Sequence, residues 1–104
     1  MARQENRLNK SDEIQKVKAA SDIVAVVGSY VPSLRQVGAS FKGLCPFHDD
    51  KHPSFAVDPK GQNYRCWACG KFGDVITFVQ EIERISFSEG LDLLAQRARI
   101  SGNS

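Results

Sequence analysis

The sequence predicts one α+β domain, in which helices flank a small antiparallel sheet. The chain has 104 residues and an apolar fraction of 41%, which suits a single domain with a modest core. Short strand-like stretches separated by turn residues occupy the middle of the chain, whereas both ends carry apolar residues at helical spacing. We expect a flexible leader at residues 1–10, the domain at residues 11–100 and a tail at residues 101–104.

Two helices are predicted before the sheet. Ser11 is a suitable N-cap for a first helix that carries Ile14 and Val17, and Ser21-Asp22 begins a second helix. Gly28 is expected to end that second helix, since glycine disfavours helix interiors.

Two hairpins are predicted next. Residues 30–37 are expected to form a strand that pairs with residues 40–45, and Pro32 argues that this strand lies at an edge. In the second hairpin, residues 54–58 and 63–66 flank the polar turn at residues 59–62.

Two helices are predicted after the sheet. Asp74 caps the first, which has an apolar stripe formed by Val75, Ile76, Phe78, Val79, Ile82 and Ile85. Ser86 and Glu89 have the spacing of a capping box, which predicts a last helix from about Phe87 to Ile100.

Charge and hydropathy exclude several classes of protein. The formal net charge is only +2, so any surface that binds nucleic acid must be local. The chain lacks both an apolar run near the roughly 18 residues of a membrane span and the apolar segment of a secretory signal. We therefore expect a cytoplasmic protein with no membrane partner.

Its three cysteines cannot all pair, and this odd count favours metal binding over disulfides.

The cysteines belong to two short ligand pairs. Cys45 and His48 form one C-x₂-H pair, Cys66 and Cys69 form one C-x₂-C pair, and 17 residues separate the pairs. Three thiolates and one imidazole suit tetrahedral Zn²⁺, and four protein ligands leave no open position for a substrate water. The spacing predicts one structural zinc in a zinc ribbon, with Gly43 and Gly70 allowing backbone amides to approach the sulfur atoms.

Other interpretations of these residues are weaker. A redox C-x-x-C motif needs a thioredoxin-like βαβ context, and a zinc deaminase needs an H-x-E motif that His48 does not begin. His52 is a competing imidazole ligand. We favour His48 because C-x₂-H matches the spacing of the second pair.

Residues 12–100 contain CPFH followed by PSF, then C-x-x-CG, and GD before a helix. With these markers they resemble the Cys-His-Cys-Cys zinc domain of bacterial-type DNA primases. The resemblance implies a zinc ribbon that engages the single-stranded template during primer initiation. In that family a separate Toprim domain polymerises nucleotides at an acidic metal site, and no such carboxylate cluster is apparent here. The chain would be a fragment or a free-standing relative. His52 departs from the family, which commonly has a small hydroxyl residue at this position.

The leading functional prediction is a module that binds single-stranded DNA. Basic and aromatic residues around the motif suit phosphate pairing and base stacking, and they are Lys42, Tyr64, Arg65, Trp67, Lys71 and Phe72. Strand alternation places Arg65 on one face and Tyr64 with Cys66 on the other, and each aromatic residue could instead cover the core. The primase catalytic domain, in cis or in trans, is an expected partner, and a replicative helicase is a further candidate.

The alternative prediction is a zinc-ribbon module that contacts proteins or regulates them. Its docking surface would be the apolar stripes of the two terminal helices, formed by Val75, Val79, Ile82, Leu91 and Leu94. Ordinary core packing is the simpler explanation of those stripes.

Overall fold

The computed structural model describes residues 10–49 and 51–103, where the chain forms four helices and one five-stranded sheet. In chain order the elements are α1 (Lys10–Ala20), α2 (Ile23–Tyr30), β1 (Arg35–Val37), β2 (Ser40–Gly43), β3 (Phe55–Asp58), β4 (Asn63–Cys66), β5 (Phe72–Asp74), α3 (Val75–Glu83) and α4 (Phe87–Asn103). The predicted leader lies outside the described residues except for Lys10, which begins α1. The predicted tail belongs to α4 as far as residue 103.

The sheet is an antiparallel meander in the order β1-β2-β3-β4-β5. The second hairpin agrees with its prediction to within one residue. Strand β1 is shorter than predicted, because residues to Tyr30 belong to α2 and the Leu34 N–H bonds to the Val31 carbonyl at 3.0 Å in a turn. The sequence prediction missed β5, which pairs with β4 directly after the second ligand pair.

One face of the sheet packs against the helices. Phe55, Val57 and Tyr64 project from it and are at most 1% exposed. The rings of Phe55 and Tyr64 lie 5.4 Å apart between centroids, and both contact Phe78 of α3, with centroid distances of 6.1 and 5.5 Å. The buried residues of the helices all belong to one core, together with those of this face of the sheet. Along β3 and β4 the residues that point to the opposite face are not buried, so that face is open.

Side-chain caps fix where three helices begin. Asp22 accepts from the Ala25 N–H at 3.3 Å, and Asp74 accepts from the Thr77 N–H at 2.9 Å. The Ser86 and Glu89 capping box is reciprocal, with side chain to backbone distances of 3.1 and 3.0 Å. The predictions for Asp74 and for the capping box are confirmed, and of the predicted start at Ser21-Asp22 it is Asp22 that caps the helix.

Two helix boundaries were predicted wrongly. Helix α1 begins at Lys10, so Ser11 lies within its first turn and is not its cap. Helix α2 continues past Gly28 to Tyr30, because packing of its buried residues Ile23, Val26 and Val27 outweighs the weak helix propensity of one glycine.

The apolar stripes of α3 and α4 are core, not surface. Val75, Val79, Leu91 and Leu94 are at most 2% exposed, and Ile82 is half-buried. The docking surface that the alternative prediction requires is therefore buried inside the domain. Among the described residues, no helix is both long enough and apolar enough to cross a membrane.

Candidate metal centre and nucleic-acid interface

The four predicted ligands meet at one end of the sheet. Cys45 and His48 lie in the connection that follows β2, Cys66 ends β4, and Cys69 follows one turn later. Their ligand atoms all lie within 4.8 Å of one another. His52 is exposed and does not belong to this group, so the choice of His48 over His52 is confirmed.

Two of the distances between ligand atoms can be compared with a tetrahedral zinc ion. With Zn–S bonds of about 2.3 Å and a Zn–N bond of about 2.0 Å, a tetrahedron separates two sulfurs by about 3.8 Å and a sulfur from a nitrogen by about 3.5 Å. The Cys45 and Cys69 sulfurs are 3.9 Å apart, and the Cys66 sulfur is 3.6 Å from His48 Nε2. Donor type, donor number and spacing together identify one structural zinc site.

Backbone amides stabilise the sulfur ligands. The Phe47 N–H donates to Cys45 Sγ and the Cys69 N–H donates to Cys66 Sγ, each at 3.4 Å. Gly70, with φ of +82°, donates to the Cys66 carbonyl at 2.8 Å and closes the second turn. Glycine therefore permits this turn, although its amide bonds to oxygen and not to sulfur as predicted.

Cys45 and Cys66 differ in the acidity of their thiols. Burial raises the pKa of Cys45 to about 12, which disfavours a thiolate without a cation beside it. Burial opposes ionisation of Cys66 as well, but hydrogen bonds from the Cys69 N–H and the His48 ring outweigh it and lower the pKa of Cys66 to about 6. A zinc ion supplies the positive charge that stabilises the buried thiolates.

The open face of the sheet carries a row of paired residues that crosses all five strands. The strand registers place them directly opposite one another in the order Arg35, Lys42, Ala56, Arg65, Phe72. Directly paired residues share a face of the sheet. We call these five residues the transverse row; it contains three cations, one aromatic ring and Ala56. Arg35 was not among the predicted contacts. The first predicted hairpin could have shown it, because a turn at residues 38–39 pairs positions 35 and 42.

Two exposed aromatic rings frame one cation at the β5 end of this row. Trp67 is 70% exposed and Phe72 is 65% exposed. The Arg65 guanidinium carbon lies 4.8 Å from the Trp67 ring centroid and 5.5 Å from that of Phe72, within the range of cation–π attraction. These two rings are surface residues and do not cover the core.

Two other predicted contacts have different surroundings. Tyr64 is 1% exposed and stacks against Phe55, so its ring cannot meet a base, and its prediction as a nucleic-acid contact is corrected. The cause is strand alternation, which turns Tyr64 to the same face as the metal ligand Cys66. Lys71 is exposed but forms an ion pair with Glu81 at 3.0 Å, which offsets part of its charge.

Comparisons with known proteins agree with this site. The sequence matches the CHC2 zinc finger family over residues 9–104. It is 51% identical over 87 residues to a DNA primase of Thermotoga maritima, covering 84% of this chain and 15% of that protein. It is 49% identical over 86 residues to a DNA primase of Mycobacterium tuberculosis, covering 82% of this chain and 13% of that protein.

A solved structure has the same fold. The crystal structure of the Aquifex aeolicus primase, with its zinc-binding and RNA polymerase domains, superimposes with a TM-score of 0.78 at 41% identity, covering 83% of this chain and 21% of that one. The present chain thus spans about one seventh of the Thermotoga relative and about one fifth of the Aquifex chain. The family match, the relatives and the four-ligand cluster together show that the chain belongs to the CHC2 zinc finger family, as a zinc-binding domain of DNA primase.

Proposed function

We propose that this domain binds the single-stranded template of a DNA primase and so supports the initiation of RNA primers in DNA replication. The transverse row is the observation that carries the proposal. Its three cations, together with Trp67 and Phe72, provide the combination of phosphate pairing and base stacking by which proteins hold single strands.

The size of the transverse row suits a short segment of nucleic acid. Neighbouring strands lie about 4.8 Å apart, so the row is about 19 Å long from β1 to β5. At the stacked spacing of about 3.4 Å per nucleotide this length corresponds to about six nucleotides, and to fewer when the strand is extended.

The aromatic end of the row is organised before binding. Arg65 lies over the Trp67 ring, which limits the rotamers of its long side chain. A cation that is already positioned loses less conformational entropy when a phosphate binds. The exposed surface of Trp67 and Phe72 remains available for bases.

The domain is expected to act with other parts of the replication machinery. A Toprim catalytic domain, in cis or in trans, would join nucleotides while this domain holds the template. A replicative helicase is a further candidate partner, and the location would be cytoplasmic. With a net charge of only +2, the isolated domain should bind DNA weakly and gain affinity beside a catalytic domain.

Charge-removing variants test the proposal. Arg65→Ala and Lys42→Ala are each expected to weaken binding of a fluorescent single-stranded oligonucleotide and to reduce the salt dependence of log K by about 0.7 per lost phosphate contact. Fluorescence anisotropy at several salt concentrations measures both effects. Zinc content and melting temperature should not change, because both side chains are exposed.

Lys16→Ala is the matched control. Lys16 is exposed on α1 and does not belong to the transverse row, so this variant removes the same charge but should bind like the parent. If Arg65→Ala and Lys42→Ala also bind like the parent, the template surface lies elsewhere. Failure of the parent domain to bind any single strand would refute the proposal.

A further inference from the structure

A surface pocket adjoins the transverse row at its β1 end. It has a volume of about 390 Å³, and its lining residues are Ser33, Arg35, Val37, Lys42, Gly43, Leu44 and Pro53. We call it the β1 pocket. Its volume lies at the lower end of the range of small-molecule sites, about 300 to 1,000 Å³.

The wall of the β1 pocket is held in place by two contacts. Ser33 Oγ accepts a hydrogen bond from the Leu44 N–H at 2.9 Å, which joins the segment before β1 to the end of β2. Gly43 allows this segment to pack closely, because a Cβ at that position would lie 3.0 Å from the Leu34 Cα. The pocket therefore exists before any ligand binds.

The pocket combines two cations with an apolar surface. Arg35 and Lys42 are direct cross-strand partners, and neither forms an ion pair with another described residue. Val37 and Leu44 are 48% and 40% exposed, although both are large apolar residues. None of the lining residues is acidic.

This chemistry fits a nucleotide better than an apolar protein segment. A nucleotide presents a flat apolar base beside an anionic phosphate, and the pocket presents an apolar wall beside two cations that lack anionic partners within the described residues. The same two cations belong to the transverse row, so a strand on the row would reach the pocket without leaving the sheet.

We propose that the β1 pocket holds one nucleotide of a single DNA strand, with its base against Val37 and Leu44 and its phosphate between Arg35 and Lys42. This proposal rests on the proposed function and extends it, because an enclosed nucleotide at one end fixes how the strand is positioned along the row. The aromatic residues at the other end only supply stacking surface.

Nuclear magnetic resonance of the zinc-loaded domain tests the proposal with two probes, thymidine 5′-monophosphate and a single-stranded oligonucleotide. Both are expected to shift the methyl signals of Val37 and Leu44. Leu44→Ser is expected to weaken oligonucleotide binding about tenfold, while zinc content and melting temperature stay unchanged. This loss lies in the lower part of the range for losing one base stack on an aromatic ring, because leucine offers an apolar surface but no ring. Gln36→Ala is the matched control, since Gln36 is exposed on β1 but absent from the pocket wall.

The outcomes separate the two proposals. If the oligonucleotide binds and Arg65→Ala weakens it, but the Val37 and Leu44 methyl signals do not move and Leu44→Ser binds like the parent, the pocket proposal is overturned and the template proposal stands. If no single strand binds the parent domain, both are overturned. Equal losses of affinity in Leu44→Ser and Gln36→Ala would also refute a specific role of the pocket.

Discussion

Replacing Cys66 with serine is expected to abolish zinc binding and to unfold the domain. Cys66 is fully buried at the end of β4, where its sulfur lies 3.6 Å from His48 Nε2 and 3.4 Å from the Cys69 backbone nitrogen. Serine keeps the shape of the side chain but offers a hydroxyl that is a poor ligand for zinc compared with a thiolate. Only three ligands would then remain.

The magnitude follows from what the zinc ion connects. It joins the connection after β2 to the end of β4, two segments whose ligand pairs are 17 residues apart in sequence. Structural zinc contributes about 10–16 kcal/mol to the folding of small zinc domains, whereas a whole domain is stable by about 5–15 kcal/mol. If the four ligands contribute about equally, losing one costs about 2.5–4 kcal/mol, and losing the metal removes the whole margin.

Elemental mass spectrometry and circular dichroism measure the effect. The parent should contain one zinc per chain and lose its cooperative thermal transition when a chelator removes the metal. His52→Ala is the control, because His52 is exposed and lies outside the ligand cluster, so this variant should keep its zinc. A parent domain that is verified to be metal-free and still melts cooperatively at the same temperature would refute the reasoning.

Two further substitutions test the core and a helix cap. Tyr64→Phe should raise the free energy of unfolding by about 1 kcal/mol, because the buried Tyr64 hydroxyl has no hydrogen-bond partner among the described residues. DNA affinity should stay unchanged. Chemical denaturation measures the stability, and a destabilised variant would contradict this prediction. Asp74→Asn should destabilise the domain by about 1 kcal/mol at pH 7, because it removes a carboxylate charge that the fold stabilises. Burial alone would raise the Asp74 pKa. The hydrogen bond from the Thr77 N–H and the ion pair with Lys18 have the larger effect and lower that pKa. That pKa lies below the unfolded value of about 3.9. The difference in free energy of unfolding between the parent and Asp74→Asn should therefore be constant above about pH 5 and should shrink as the pH falls below about 4. A difference that does not depend on pH would contradict the assignment.

Features that depend on local chemistry could be predicted from the sequence. The metal ligands follow from two C-x₂ spacings, and the caps at Asp22, Asp74 and Ser86 follow from residue types beside apolar periodicity. The second hairpin follows from its polar turn. In each case the determining residues lie within a few positions of one another.

Features that depend on packing between distant segments could not be predicted as well. Strand β5 has only three residues, one of them glycine, and pairing with β4 is what defines it. Helix α2 passes Gly28 because its buried residues pack against the rest of the core. Tyr64 and Trp67 look alike in the sequence as aromatic neighbours of the metal ligands, and only the direction of the core face separates the buried ring from the exposed one.

The zinc site and the proposed template surface are linked through β4. Alternation along this strand turns Cys66 toward the core and Arg65 toward the open face, so fixing the position of Cys66 also fixes the direction of Arg65. Trp67, which lies under the Arg65 guanidinium, belongs to the turn between Cys66 and Cys69 that the zinc ion closes. A metal ion with no open coordination position can therefore support DNA binding without touching DNA, because it holds the cation and the aromatic ring of the proposed surface in register.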